Sequence, residues 1–118
     1  MDSRINPTSN LAASCPVVPP YLCAIAYDKA GCGIGNWKRP FEVAEVTELN
    51  LSLWSHFKEG NDIEAVSVRK GCTFEGYDKT DRSGDKVTIR ADKARDEHRD
   101  ITGSLKNDIS SMTCTCIN

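Results

Sequence analysis

The sequence predicts an all-β protein built as a β-sandwich, and two observations carry that prediction. Short runs of alternating apolar residues recur along the chain with turn residues between them; this is the pattern of strands half-buried against a second sheet. Two unlike signals also recur in the same order. Tyr27-Asp28-Lys29 is echoed by Tyr77-Asp78-Lys79, and Asn61-Asp62-Ile63 by Asn107-Asp108-Ile109. A repeated order of this kind points to an internal duplication. The length of 118 residues suits one domain with a single core.

Residues 1–20 are rich in Asn, Ser and Pro and end in Pro19-Pro20, the composition of a flexible N-terminal arm that Cys15 can tie to the body. Tyr21 to Tyr27 is apolar and strand-like. Gly31, Gly33 and Gly35 then break it. A dinucleotide-binding loop would need its third glycine at position 36, which is Asn36, so the cluster reads as a tight turn. Phe41-Glu42-Val43 alternates as a strand does. Val46, Leu49, Leu53, Trp54 and Phe57 have a mixed spacing that suits a short helix before Gly60. Ala65 to Arg69 alternates again, with Val66 and Val68 on one face. Thr73 to Tyr77 and Lys86 to Arg90 are further strands. The charged stretch Ala91 to Asp100 reads as a solvated loop or short helix. Met112 to Ile117 closes the chain as a strand with Met112, Cys114 and Cys116 on one face.

Composition removes several function classes. Fifteen basic and 17 acidic residues give a net charge of -2, with no basic stripe for nucleic acid. No apolar run is long enough to insert across a bilayer. The N-terminus lacks the apolar centre of a signal peptide, which leaves an intracellular protein or one whose signal has been removed. Six cysteines are many for this size, and none has Cys-x-x-Cys spacing. Zinc therefore has little support here, and disulfides in an extracellular protein come ahead of reduced thiols in a cytosolic core. His56 and His98 have no neighbouring catalytic pattern and read as partly exposed loop residues. Trp37 and Trp54 read as core or core-edge anchors. Asp78 to Gly84 fails as an EF-hand loop: its glycine is one place late and Arg82 sits at a ligand position. Nothing in the chain points to an enzyme.

Tyr77 followed after six residues by Gly84 resembles the folded hairpin of the βγ-crystallin superfamily. Lys106-Asn107-Asp108-Ile109-Ser110-Ser111 resembles the same family's calcium-associated motif, two Asn or Asp, two variable residues, Ser or Thr, then Ser. The resemblance implies two Greek-key motifs in one sandwich, motif one at about 21–69 and motif two at about 70–118. Motif one departs from the pattern. Ile34 stands where Gly84 has its counterpart, Glu64 and Ala65 replace the two hydroxyl residues, and Gly60 and Lys106 hold the lead positions of the two arches.

The resemblance further implies calcium as cofactor, with up to two ions, each clamped by one motif's arch and the other's hairpin. One site would take Ser110, Asp108 and the carbonyl of Asp28; the other Glu64, Asp62 and the carbonyl of Asp78. Asn61 and Asn107 would orient the arches or bind directly, and Ser111 would brace a hairpin. Calcium tolerates such mixed oxygen ligands. Asn-Asp before a strand is also ordinary turn chemistry, so the residues alone leave a calcium site and a structural arch equally open. The implied function is a non-enzymatic calcium-binding protein. Its alternatives are a small secreted disulfide-bonded effector, of antimicrobial, toxin or protease-inhibitor type, and a structural protein with vestigial sites. Self-association or an extracellular target remains open as the partner.

Overall fold

The computed structural model describes residues 15–37, 39–51 and 62–117. Eight strands are present among them: β1 Ala24–Tyr27, β2 Phe41–Val43, β3 Val46–Asn50, β4 Ala65–Val68, β5 Cys72–Tyr77, β6 Lys86–Arg90, β7 Glu97–Asp100 and β8 Ser111–Cys116. They form two four-stranded antiparallel sheets, ordered β2-β1-β4-β7 and β3-β8-β5-β6. Each sheet takes three strands from one half of the chain and borrows its edge strand from the other half. β3 leaves the first half to pair with β8, and β7 leaves the second to pair with β4. This exchange makes the halves one folding unit, because neither sheet is complete without the other half.

The core lies between the sheets. Ala24, Ala26, Val66 and Val68 face Phe74, Ile89, Met112 and Cys114 across it, and Trp37 packs at its margin. Tyr27, Ile25 and Ala65 point the other way, where Val18 and Leu22 cover them in a second apolar cluster. β1 and β4 are consequently buried on both faces. Residues 15–20, the end of the arm, lie against this outer face. Val18 is buried and its N–H donates to Asp96 at 2.9 Å.

All six cysteines pair, as Cys15–Cys32, Cys23–Cys114 and Cys72–Cys116. Cys23 precedes β1 and Cys114 lies in β8, so that bond joins the two sheets through the core. Cys72–Cys116 joins directly opposed residues of β5 and β8.

Two expectations need correction. The first part of the stretch that suited a short helix before Gly60 is strand β3 over Val46–Asn50; the rest of it, residues 52–61 with Leu53, Trp54, His56 and Phe57, lies outside the described residues. The mixed spacing has a physical cause. The register of β3 against β8 shifts between Val46 and Leu49, so both side chains reach the core although an unbroken strand would turn them to opposite faces. The charged stretch 91–100 is not loop or helix throughout, because Glu97–Asp100 forms β7. These residues have little strand propensity of their own. Pairing with the fully buried β4 imposes the conformation, and their charges suit an edge strand.

Candidate functional site

Each half carries a folded hairpin and an arch joined by the same bond. The Glu64 N–H donates to the Tyr27 carbonyl at 2.9 Å, and the Ser110 N–H donates to the Tyr77 carbonyl at 2.7 Å. Glu64 and Ser110 are therefore structural equivalents, as are the residues that follow, Ala65 and Ser111. The carbonyls of Glu64 and Ser110 match as well, accepting from Ile101 and Leu51, the residues just beyond the exchanged strands. The arches themselves touch: the Asn107 N–H donates to the Ile63 carbonyl at 3.2 Å. Asn107 adopts a left-handed conformation, φ 62°, which asparagine tolerates better than most residues.

The hairpins are closed by a carboxylate. Asp28 accepts from the Asn36 N–H at 2.7 Å, and Asp78 from the Asp85 N–H at 3.1 Å. Immediately before each donor stands a glycine with positive φ, Gly35 at 55° and Gly84 at 82°. A Cβ on either glycine would collide with that carboxylate. The counterpart of Gly84 is thus Gly35, one residue later than the spacing that singled out Ile34. The extra residue is absorbed in a Lys29–Gly33 pair bonded through both backbones.

The residues expected to hold calcium are placed as follows. Asp28 and Asp78 lie at the hairpin entrances with their carboxylates committed to the turns. Asp62 and Glu64 lie on arch one, and Asn107, Asp108 and Ser110 on arch two; Asn61 is outside the described residues. The Glu64 side chain is only 12% exposed, and its carboxylate stands 3.9 Å from Lys29 Nζ. Ser110 is buried and Lys106 exposed. Among the described residues, no backbone N–H donates to the carbonyls of Asp28, Asp62, Asp78 or Asp108. Nor do three carboxylates converge at the arches, so a cation there would rely on carbonyl and hydroxyl oxygens with Glu64. Ser111 braces the second hairpin, its hydroxyl donating to the Lys79 carbonyl and accepting from the Arg82 N–H.

A second constellation lies on the outer face of the first sheet. Ser67 of β4 and His98 of β7 are directly opposed, and Asp100 lies two residues along the same face. His98 Nδ1 is 3.2 Å from Ser67 Oγ, and Nε2 is 3.1 Å from Asp100 Oδ1. The same Nδ1 is 3.4 Å from Cys32 Sγ and 3.5 Å from Cys15 Sγ. His98 is therefore not a partly exposed loop residue; it is a strand residue whose side chain is 7% exposed. The Ser-His-Asp order invites comparison with a hydrolase triad. Ser67 is 2% exposed, however, and its hydroxyl lies 3.8 Å from the Cys32 sulfur, so the disulfide stands over it.

No protein-family model matches the chain, and no curated protein matches it. Solved structures do match in fold. The N-terminal domain of protein S superposes with a TM-score of 0.61 at 16% identity, covering 80% of this chain and 97% of that one. A βγ-crystallin domain from Clostridium beijerinckii gives 0.57 at 14% identity, covering 78% and 95%. Hahellin, a βγ-crystallin, gives 0.54 at 18% identity, covering 80% and 92%. The fold is that of a βγ-crystallin domain.

Within the βγ-crystallin fold the second hairpin and arch carry the signals the sequence displayed, Tyr77, Gly84 and Ser110-Ser111. The sequence hid the first hairpin's glycine behind one inserted residue. It hid the His98 cluster more deeply. Alternation places His98 and Asp100 on one face, but Ser67 and Cys32 lie 31 and 66 residues away from His98. Only the strand exchange brings them together.

Proposed function

We propose that this chain is a non-enzymatic, disulfide-bonded βγ-crystallin-type protein of an extracellular setting that binds calcium at its arches and is stabilised by it. One observation carries the reading. The four backbone carbonyls that the motif resemblance names, those of Asp28, Asp62, Asp78 and Asp108, are left without backbone donors among the described residues, while the carbonyls of Tyr27, Ile63, Glu64, Tyr77 and Ser110 around them are engaged. A hard cation uses such oxygens. Ser110 and Glu64 would complete the two sites, each arch working with the other motif's hairpin. Glu64 supplies a full charge, and among the described residues a long ion pair to Lys29, at 3.9 Å, competes for it. Lys106 opposes binding at its own arch, weakly because it is exposed to solvent.

The test is thermal unfolding of chelator-treated protein with and without calcium. Binding to the folded state alone stabilises by about 2.7 kcal/mol at a hundredfold excess over Kd. Glu64→Gln is expected to shrink that gain, and Lys106→Asp to enlarge it. An unchanged melt at millimolar calcium would leave the arches as purely structural. The three disulfides favour one alternative, a small secreted effector on the same fold; growth-inhibition and protease-inhibition assays address it directly.

A further inference from the structure

We infer that Cys15, Cys32 and His98 form a zinc site that the Cys15–Cys32 disulfide keeps closed and reduction opens. The inference is independent of the calcium reading and concerns the outer face of the first sheet. Its first support is the orientation of the imidazole. A carboxylate can only accept, so the contact to Asp100 places the His98 proton on Nε2. In the neutral imidazole Nδ1 then carries a lone pair, which accepts from the Ser67 hydroxyl at 3.2 Å and lies beside both sulfurs; a metal there would take the place of the Ser67 hydrogen bond. A histidine held by a carboxylate on one nitrogen with the other nitrogen facing thiols is the arrangement by which proteins orient zinc ligands. Asp100 is itself fixed, accepting from the Gly31 N–H at 3.0 Å.

The second support is metric. With Zn–N and Zn–S bonds of about 2.05 and 2.3 Å, tetrahedral ligands N and S stand about 3.5 Å apart. The Nδ1–Sγ distances are 3.4 and 3.5 Å. Only the two sulfurs are too close, because they are bonded to each other. Once that bond is broken they need to part to about 3.8 Å, a movement within reach of rotation about two Cα–Cβ bonds whose Cα atoms are 5.6 Å apart. The fourth position faces a cleft of about 390 Å³ lined by Cys15, Ser67, Lys70, Asp96 and His98, from which water can bind.

The chemistry balances. A phosphine supplies two electrons and is oxidised to its phosphine oxide by taking the oxygen of one water; the S–S bond breaks, and the two protons of that water complete the thiols. Zinc then binds both as thiolates and releases those two protons. Two thiolates neutralise the ion, so the site gains no net charge. Both sulfurs of Cys15–Cys32 belong to partly exposed residues, whereas Cys23–Cys114 is fully buried and Cys72–Cys116 pairs a fully buried Cys72 with a partly exposed Cys116, so mild reduction should reach the Cys15–Cys32 bond first.

The experiment treats the full chain with a phosphine until two thiols are released, maps them by alkylation, and adds cobalt(II) as a spectroscopic probe. Alkylation at Cys15 and Cys32, one equivalent of cobalt with a thiolate charge-transfer band, its displacement by zinc, and no band in the oxidised protein are expected. Asp100→Asn should weaken zinc binding about ten- to a hundredfold, and His98→Ala should abolish the band. Cys23, Cys72 and Cys116 also lie close together, so a Cys72→Ala/Cys116→Ala variant is included; it should bind as the wild type does. No cobalt band in the reduced wild type, equal binding by His98→Ala, or loss of binding in the Cys72→Ala/Cys116→Ala variant with folded circular dichroism would each overturn the inference.

Discussion

Ser111 lies buried beneath the second hairpin and holds it through Lys79 and Arg82; at the matching place beneath the first hairpin lies Ala65, which can hold nothing. The first hairpin is fastened from outside instead. Cys32, at its tip, is bonded to Cys15, and the neighbouring Gly31 N–H donates to Asp100 of the exchanged strand. The tips are otherwise alike: Cys32 and Arg82 both have positive φ, 67° and 61°. A fold can therefore keep the shape of a turn while changing the force that secures it. The change has consequences for the sheets. Covering the first hairpin with residues 15–22 buries the outer face of its sheet, whereas the outer face of the second carries Glu75 bonded to Tyr77, Thr88 and Lys86 in a polar, partly exposed row.

The largest test of this contrast removes the external fastening. The Cys15–Cys32 bond closes a loop with a sequence separation of 17, worth about 3 kcal/mol in chain entropy. Cys15→Ser/Cys32→Ser should lose about that much in denaturant unfolding. Amide exchange should quicken over residues 15–37 and leave residues 77–85 unchanged. Equal acceleration in both hairpins would mean that the disulfide secures the whole sandwich rather than one turn.

Ser111→Ala tests the internal fastening. It leaves the Lys79 carbonyl and the Arg82 N–H with only their long bond to each other at 3.4 Å, at a cost of about 1–2 kcal/mol because both can be partly rehydrated at the surface. The amide exchange pattern should be the reverse of the disulfide variant, confined to residues 77–85. The two variants are distant and share no partner, so their costs should add within about 0.5 kcal/mol in the combined protein. A larger departure would show that the hairpins communicate through the touching arches.

How far the sequence could be read follows from the same contrast. The second hairpin was legible because its glycine, its arch and its serine are local signals at fixed spacing. The first was half legible, since its fastening is a cysteine whose partner lies in the arm and an aspartate that arrives from the other motif. β3 was obscured by its register shift, and β7 by side chains that only pairing with β4 makes into a strand. The six cysteines announced disulfides, but the pairing depends on which strands oppose each other, as Cys72 and Cys116 do. The His98 cluster required all three at once: an exchanged strand, the arm and the cross-strand register.

The smallest expected effect separates the two hairpin tyrosines at alkaline pH. Both phenols are held above their ordinary value of 10.0, for different reasons. For Tyr27, 1% exposed, burial is the main cause, partly offset by the Ser67 hydroxyl. For Tyr77 the main cause is its hydrogen bond to the Glu75 carboxylate at 2.7 Å, which ionisation of the phenol would destroy. In the unfolded chain each tyrosine ionises near 10.0, before its folded counterpart does. The folded state thus binds more protons in that window, and its stability must fall as pH rises. The contribution is complete below pH 10 and is lost as pH climbs through the folded values. Tyr77 is partly exposed, so screening limits its share. Urea unfolding midpoints followed from pH 9 to pH 11.5 should decline in the wild type. Glu75→Gln should remove most of the Tyr77 portion and leave that of Tyr27, which Tyr27→Phe should remove in turn. If Glu75→Gln abolished the whole decline, the buried Tyr27 would not be resisting ionisation, and the difference between the two outer faces would have no electrostatic consequence.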